Sequence, residues 1–242
     1  MGKWLSLVSF SFLCVLAVCL PHASAQSFFL TPVANAPFSA VVNIERTEIR
    51  KDGLVIKYNS TKYNSTREIA RDSQGRIHNE LRSFIPVSST DTPKLLNIHL
   101  YDPQTRISTE IDVLKRTFWT RTINHPPSTE PPSIRFAAPD GDAPPSEFTK
   151  QEDLGIREIA GVPAHGMRQT QTLPGENGGK EVVITDEHWY SQDLRIYVMI
   201  KHSDPRKESS TLTVAEVTRA EPDAAFFKVP EGYAQPTHDG RP

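Results

Sequence analysis

Hydrophobic and polar residues alternate along most of the chain with a period of two, which is the pattern of β-strands that have one buried and one wetter face. The clearest cases run from Phe38 to Thr47 and from Leu194 to Lys201. In both segments apolar side chains occupy every second position. Helical periodicity sustained over three turns is absent from the sequence. The pattern therefore predicts a mainly β fold with little helix.

Turn signals separate the alternating segments at short intervals. Asp52-Gly53 predicts a hairpin, because glycine adopts a positive φ without steric cost. Asp72–Gly75 and Asp102-Pro103 predict two further turns. The segment Ile107–Phe118 is predicted to be one strand or extended segment. Short strands joined by tight turns predict an antiparallel meander.

A proline-rich insert interrupts the meander between Pro126 and Pro145, where seven prolines fall among polar residues. Proline donates no ladder hydrogen bond, so this insert cannot be a central strand. It is predicted to be either an exposed linker or a flap over the sheet. The predicted organisation is an N-terminal extension (26–36), a single β domain (37–233) made of a first half (37–124), the proline-rich segment (125–149) and a second half (150–233), and a disordered tail (234–242).

Residues 1–25 have the features of a cleavable secretory signal peptide. Lys3 gives a positive start, an apolar run follows, and Ala23-Ser24-Ala25 is the small-residue pattern of a cleavage site. Cleavage is expected between Ala25 and Gln26. An alternative is a lipid anchor on Cys19. No second apolar segment has the length of a transmembrane helix, so the mature chain is predicted to be exported to the periplasm or outside the cell without spanning the membrane.

Composition narrows the classes of partner. The predicted mature chain has 26 Lys and Arg (27 less Lys3) against 29 Asp and Glu, a net charge of −3. Both signs are interspersed, which argues against a nucleic-acid partner. Both cysteines, Cys14 and Cys19, lie in the signal peptide. The mature domain therefore has no disulfide, and its stability must come from packing and the β ladder.

No motif in the sequence predicts catalysis, a metal site or a cofactor. The histidines lack the spacings of a local metal site, and the sequence motifs of four common enzyme classes are missing. His202-Ser203-Asp204 is best explained as part of a turn that Asp204-Pro205 opens. Asp186, His188 and Tyr190 would share one strand face and could perform acid–base chemistry only in a pocket that perturbs their pKa values.

Several segments resemble a block that recurs in exported bacterial proteins. They are Trp189–Leu194, Lys201–Arg206, Ala220–Asp223 and Phe227–Tyr233, together with Pro37–Ala40 and Arg71–Arg76 in the first half. The strand order is similar to that of periplasmic lipoprotein carriers of the LolA and LppX kind. The resemblance implies a curved antiparallel sheet, a half-barrel, whose concave face is apolar.

A lipid, a lipoprotein acyl chain or another apolar ligand would bind in that concave face, in a protein that is not an enzyme. The side chains predicted to line it are Phe38, Val42, Ile44, Arg46, Leu54, Ile56, Tyr58, Leu96, Ile98, Leu100, Leu194, Ile196, Val198 and Ile200. Arg46 would sit at its rim. Two alternatives remain open: a protein-interaction or stress-sensing module on the same fold with an envelope protein as partner, and, third, an envelope hydrolase.

Overall fold

The computed structural model describes residues 30–51, 58–125, 148–175 and 179–236, and these residues form one β-sheet of twelve strands. The strands are β1 (Phe38–Lys51), β2 (Tyr58–Arg71), β3 (Ile77–Arg82), β4 (Ile85–Pro86), β5 (Leu95–Asp102), β6 (Ile107–Asp112), β7 (Thr117–Thr122), β8 (Thr149–Ile159), β9 (Val162–Leu173), β10 (Val182–Ser191), β11 (Ile196–Asp204) and β12 (Glu208–Thr218). A 3₁₀ turn, Ala224–Phe227, follows β12.

The sheet is open, curved and antiparallel throughout its ladders, as the alternation predicted. The strand order is β7-β6-β5-β3-β2-β1-β12-β11-β10-β9-β8, and the short β4 pairs with β2. Each half of the chain forms a meander, and the ladder between β1 and β12 joins the halves into one sheet. The proline-rich insert, the signal peptide and the Asp52-Gly53 turn lie outside the described residues.

β1 lies at the centre of the sheet and buries one of its faces. Phe38, Ala40, Val42 and Ile44 are all buried, whereas Asn43 between them is exposed. We call the side of the sheet that carries these four side chains the Phe38 face. Directly paired residues of neighbouring strands share a face, so the ladder register extends the Phe38 face from β1 into β2 and β12.

Two predictions concern where the chain reverses direction, between β1 and β2 and within residues 107–118. Lys51 pairs with Tyr58, which confirms β1 and β2 as antiparallel neighbours. The segment predicted as one strand from Ile107 to Phe118 is instead two strands, β6 and β7. The Asp112 carboxylate accepts a hydrogen bond from the Lys115 amide (2.9 Å) and Arg116 adopts a φ of 54°, so the chain reverses where alternation alone gave no break.

β5 presents a different set of side chains to the Phe38 face from the set that alternation predicted. Tyr101 is linked to Phe38 through consecutive ladder pairs across β3 and β2, so it shares the Phe38 face. Ile98 and Leu100 therefore lie on the opposite face, and Leu96 is the extra residue of a β-bulge. The prediction that Ile98 and Leu100 line one face with Phe38 is wrong, because the face of a strand depends on register with its neighbours.

The apolar core consists of two clusters. The larger one combines residues of both halves of the chain. Its buried members include Phe38, Val42, Ile69, Ile77, Tyr101, Val162, Trp189, Leu194, Ile196, Val198 and Val214. The smaller one contains Ile98, Leu100 and Ile111 on the opposite face, and Val229 and Tyr233 of the C-terminal segment pack against it. That segment, residues 222–236, includes Ala234, whose amide donates to the Arg116 carbonyl.

Within the described part of the chain, no helix combines the length and the apolar character needed to cross a bilayer.

Candidate functional site

The structure brings together the apolar β1 members of the predicted ligand-binding set with the four members between Leu194 and Ile200. They fall in the larger core cluster, which contains Phe38, Val42, Ile44, Leu194, Ile196, Val198 and Ile200. β12 lies between β1 and β11, and Leu212 pairs with Ile44 on one side and with Ile200 on the other. These three side chains form an apolar row across the Phe38 face. Leu194 lies in the turn before β11 rather than in the strand.

Ile98 and Leu100 of the predicted set do not join this row. Leu54 and Ile56 lie outside the described residues. Tyr58 begins β2, and only its backbone is described. Leu96, Ile98 and Leu100 belong to β5, where the register separates Ile98 and Leu100 from the Phe38 face.

The apolar lining is closely packed. Phe38, Val42 and Val198 have no solvent exposure, and Ile196 has 1%. A cleft of about 250 Å³ lies elsewhere, between β3, β5, β6 and the C-terminal segment, and Leu100, Phe227 and Val229 contribute to its walls. A ligand on the Phe38 face would therefore have to replace contacts that the side chains now make with one another.

Charged side chains occupy the next position on the same face beyond the apolar row, Arg46 after Ile44 on β1 and His202 after Ile200 on β11. Arg46 donates to Glu208 (2.8 Å) and lies 3.1 Å from Glu48. On β11, His202 donates from Nδ1 to the Asp186 carboxylate of β10 (2.7 Å). This hydrogen bond raises the pKa of His202, which favours the charged imidazolium. The Phe38 face thus has an apolar part and a polar part.

Asp186 forms a hydrogen bond across strands with His202, which the β10–β11 register places opposite it. His188 is buried beside Tyr197, their ring centroids 5.9 Å apart, and burial lowers the pKa of His188. Tyr190 lies next to the same Tyr197, at 5.1 Å. The predicted Asp186, His188 and Tyr190 group is therefore divided between an ion pair and an aromatic cluster. The sequence did not identify the His202 partner, since only the β10–β11 register gives it.

The turn predicted to open at Asp204-Pro205 is confirmed, but His202 and Ser203, which were predicted to belong to it, lie in β11. The Asp204 carboxylate accepts from the Arg206 amide (2.9 Å) and from its guanidinium (2.8 Å), and the Lys207 amide donates to the Asp204 carbonyl (3.1 Å). These bonds close the connection between β11 and β12. In the described residues, no group of three or more His, Cys, Asp or Glu side chains is placed to hold a metal ion.

Arg71 of β2 joins three segments on the Phe38 face and has no solvent exposure. Its guanidinium donates to the carbonyls of Thr31 (2.9 Å), Ala36 (2.9 Å) and Leu194 (2.6 Å). β1, β12 and β11 separate β2 from the Leu194 turn in the sheet order. A side chain can bridge that distance only if the sheet curves toward the Phe38 face, so this face is the concave one at this end.

Arg67 lies four residues before Arg71 on β2. It shares the Phe38 face but has a different environment. It pairs with Val42, and 8% of its surface is exposed. Its Nε has no hydrogen-bond partner, and no hydrogen bond or ion pair joins its guanidinium to the described residues. Burial lowers the pKa of Arg67. Arg67 was not among the predicted site residues, although its two-residue spacing from Ile69 indicates an inward arginine.

No protein-family model matches the chain, and no curated protein sequence does. Solved structures are similar at low identity. MucB is 11% identical with a TM-score of 0.39, over 81% of this chain and 58% of the MucB chain. Lipoprotein LppX of Mycobacterium tuberculosis is 13% identical (TM-score 0.25, 76% of this chain, 88% of LppX). A LolA superfamily protein from Nitrosomonas europaea is 11% identical (TM-score 0.27, 80% of this chain, 90% of that protein).

The last two are of the kinds that the sequence resemblance named. This chain spans about 58% of the length of MucB. At identities and TM-scores this low, the likenesses carry no conclusion about function.

Proposed function

We propose that the protein is an exported, non-enzymatic envelope protein that binds the apolar chain of a lipid or lipoprotein on its Phe38 face. The observation that carries the proposal is the row of Ile44, Leu212 and Ile200 across three adjacent strands, which passes directly into the charged groups around Arg46 and His202. An amphiphile needs these two environments side by side: apolar side chains for its chain and polar groups for its head.

Binding requires the packed lining to open. Burying an acyl chain gains about 0.8 kcal/mol for each CH₂ group removed from water, and that gain can offset the packing energy given up when the β1 and β11 side chains part. An open sheet can separate in this way without breaking a closed ring of ladder bonds. The ligand therefore exchanges for the protein's own side chains rather than filling a preformed cavity.

Native mass spectrometry of material purified from cells tests the proposal directly. We expect a bound lipid, or a mass shift on adding laurate. Because the predicted mature chain has no cysteine, Ile200→Cys introduces a single thiol on the apolar row, and we expect laurate to slow its labelling by a maleimide. Asn43→Cys, exposed on the opposite face, is the matched control and should label at an unchanged rate. An apo mass together with unchanged labelling at Ile200→Cys would refute the proposal.

A second candidate function is an interaction module that uses the edge strand β8. β8 pairs with β9 on one side and, within the described residues, with no strand on the other. Ile156 in its middle is 77% exposed. An extended peptide could add to such an edge by β-augmentation. A photo-crosslinking residue in place of Ile156 should then capture one envelope protein, whereas the same residue at the exposed turn position Leu114 should not. Equal capture at both positions would rule this function out.

A further inference from the structure

Two arginines of β2 lie four residues apart on the Phe38 face and differ in their partners. The guanidinium of Arg71 donates to three backbone carbonyls, so its burial is compensated. Arg67 is nine-tenths buried, yet the described residues give its guanidinium neither a hydrogen-bond acceptor nor a carboxylate. A buried charge without a partner is costly, and proteins retain such groups mainly where they act.

The acidic groups nearest in the ladder are engaged elsewhere. Glu68, the next residue of β2, is exposed, because alternation places it on the opposite face. Glu80 of β3 accepts from Arg82 (2.7 Å) and from the Glu68 amide (3.3 Å). Glu208 accepts from Arg46 on β1. None of these three carboxylates therefore neutralises the charge of Arg67.

Arg67 also lies beside the apolar row. It pairs with Val42 of β1, and Val42 pairs in turn with Val214 of β12. Ser65, the next inward residue of β2, donates its hydroxyl to the Ser83 carbonyl (2.9 Å) and is thereby satisfied. The Nε of Arg67 is thus a buried donor beside the apolar row that has no partner among the described residues.

We propose that Arg67 is an anion subsite that binds the oxyanion head of the ligand, a carboxylate or a phosphate, while its apolar chain lies along the row of Ile44 and Ile200. A guanidinium presents paired N–H donors that match either oxyanion in a bidentate manner, and such charge-assisted bonds strengthen in a dry site. The inference rests on the proposed function and narrows its ligand class to anionic amphiphiles.

The test compares delipidated wild type with Arg67→Met and with Lys62→Gln. Lys62→Gln removes the same charge from an exposed position of the same strand and serves as the control. Each protein is titrated with laurate, lauryl phosphate and lauryl alcohol by native mass spectrometry. We expect wild type and Lys62→Gln to prefer one or both anions over the alcohol by about tenfold or more. Arg67→Met should lose that preference and keep its affinity for the alcohol within about twofold. The two anions distinguish a carboxylate head from a phosphate head.

A second readout separates binding from a structural role. Without ligand, Arg67→Met should raise Tm by about 2–4 °C, because methionine removes a buried uncompensated charge. Inorganic phosphate should raise the Tm of wild type and leave that of Arg67→Met unchanged. A fall in the Tm of Arg67→Met would overturn the subsite.

The outcomes also distinguish the two proposals. If wild type binds all three amphiphiles equally, apolar binding is supported and the subsite is overturned. If wild type binds none of them but phosphate stabilises it through Arg67, the subsite is supported and apolar binding is overturned. If neither amphiphiles nor phosphate affect wild type, both are overturned.

Discussion

Arg71 and Arg67 give a sharp prediction, because the same substitution at each should change stability in opposite directions. Arg71→Met leaves the carbonyls of Ala36 and Leu194 without their side-chain donor, whereas the Thr31 carbonyl keeps its bond from the Val33 amide (2.9 Å). An unsatisfied buried group costs about 1–3 kcal/mol, so the two of them cost about 2 kcal/mol or more. That is a large part of the roughly 5–15 kcal/mol that stabilises a typical domain.

Arg67→Met should be stabilising by about 1 kcal/mol, because it breaks no bond to a described residue and removes a buried charge. Urea unfolding followed by tryptophan fluorescence measures both values, since Trp189 is buried in the larger core cluster. Similar losses of stability in the two variants would refute the reasoning. It would mean that Arg67 has structural bonds of its own.

Three further predictions concern separate parts of the molecule. Gly166→Ala should destabilise the protein by about 1–3 kcal/mol in thermal unfolding, because an added Cβ would lie 2.6 Å from the buried ring of Trp189; an unchanged Tm would contradict this. His202→Gln should cost more stability near about pH 5.5 than near about pH 9, because the Asp186 hydrogen bond raises the pKa of His202 in the folded protein. The stability that His202 contributes is complete below its pKa in the unfolded chain and is lost as the pH rises through its pKa in the folded protein. Urea midpoints that change equally at both pH values would argue against this prediction. Truncation before Pro222 should expose the smaller core cluster and increase the binding of an apolar dye; dye binding equal to that of the full chain would show that the C-terminal segment does not cover it.

The sequence predicted the strands that form the apolar row but only part of the row itself. Alternation correctly identified the inward residues of β1, since period two is fixed by backbone geometry. It could not identify the face of Leu100, because β3 and β2 lie between β5 and β1 and their register decides it. It gave no sign of the C-terminal segment that covers Leu100.

The polar features of the site were harder still to predict. The bond between His202 and Asp186 is local in space but lies between two strands, so only their register brings the pair together. Arg67 and Arg71 are the same residue type on the same face, but Arg71 donates to backbone carbonyls from elsewhere in the chain and the Nε of Arg67 has no partner. Nothing in the neighbouring sequence encodes that difference.

The ladder between β1 and β12 has a consequence for how the chain folds. Its members are far apart in sequence: Arg46 and Glu208, which bond across it, are separated by 162 residues. Contacts of such long range form slowly, because a large loop must close before they contribute. Until β12 has been synthesised, β1 lacks one of its two neighbours and the nascent chain exposes an apolar strand. If the chain is exported, its core is completed only after the last strand has arrived on the far side of the membrane.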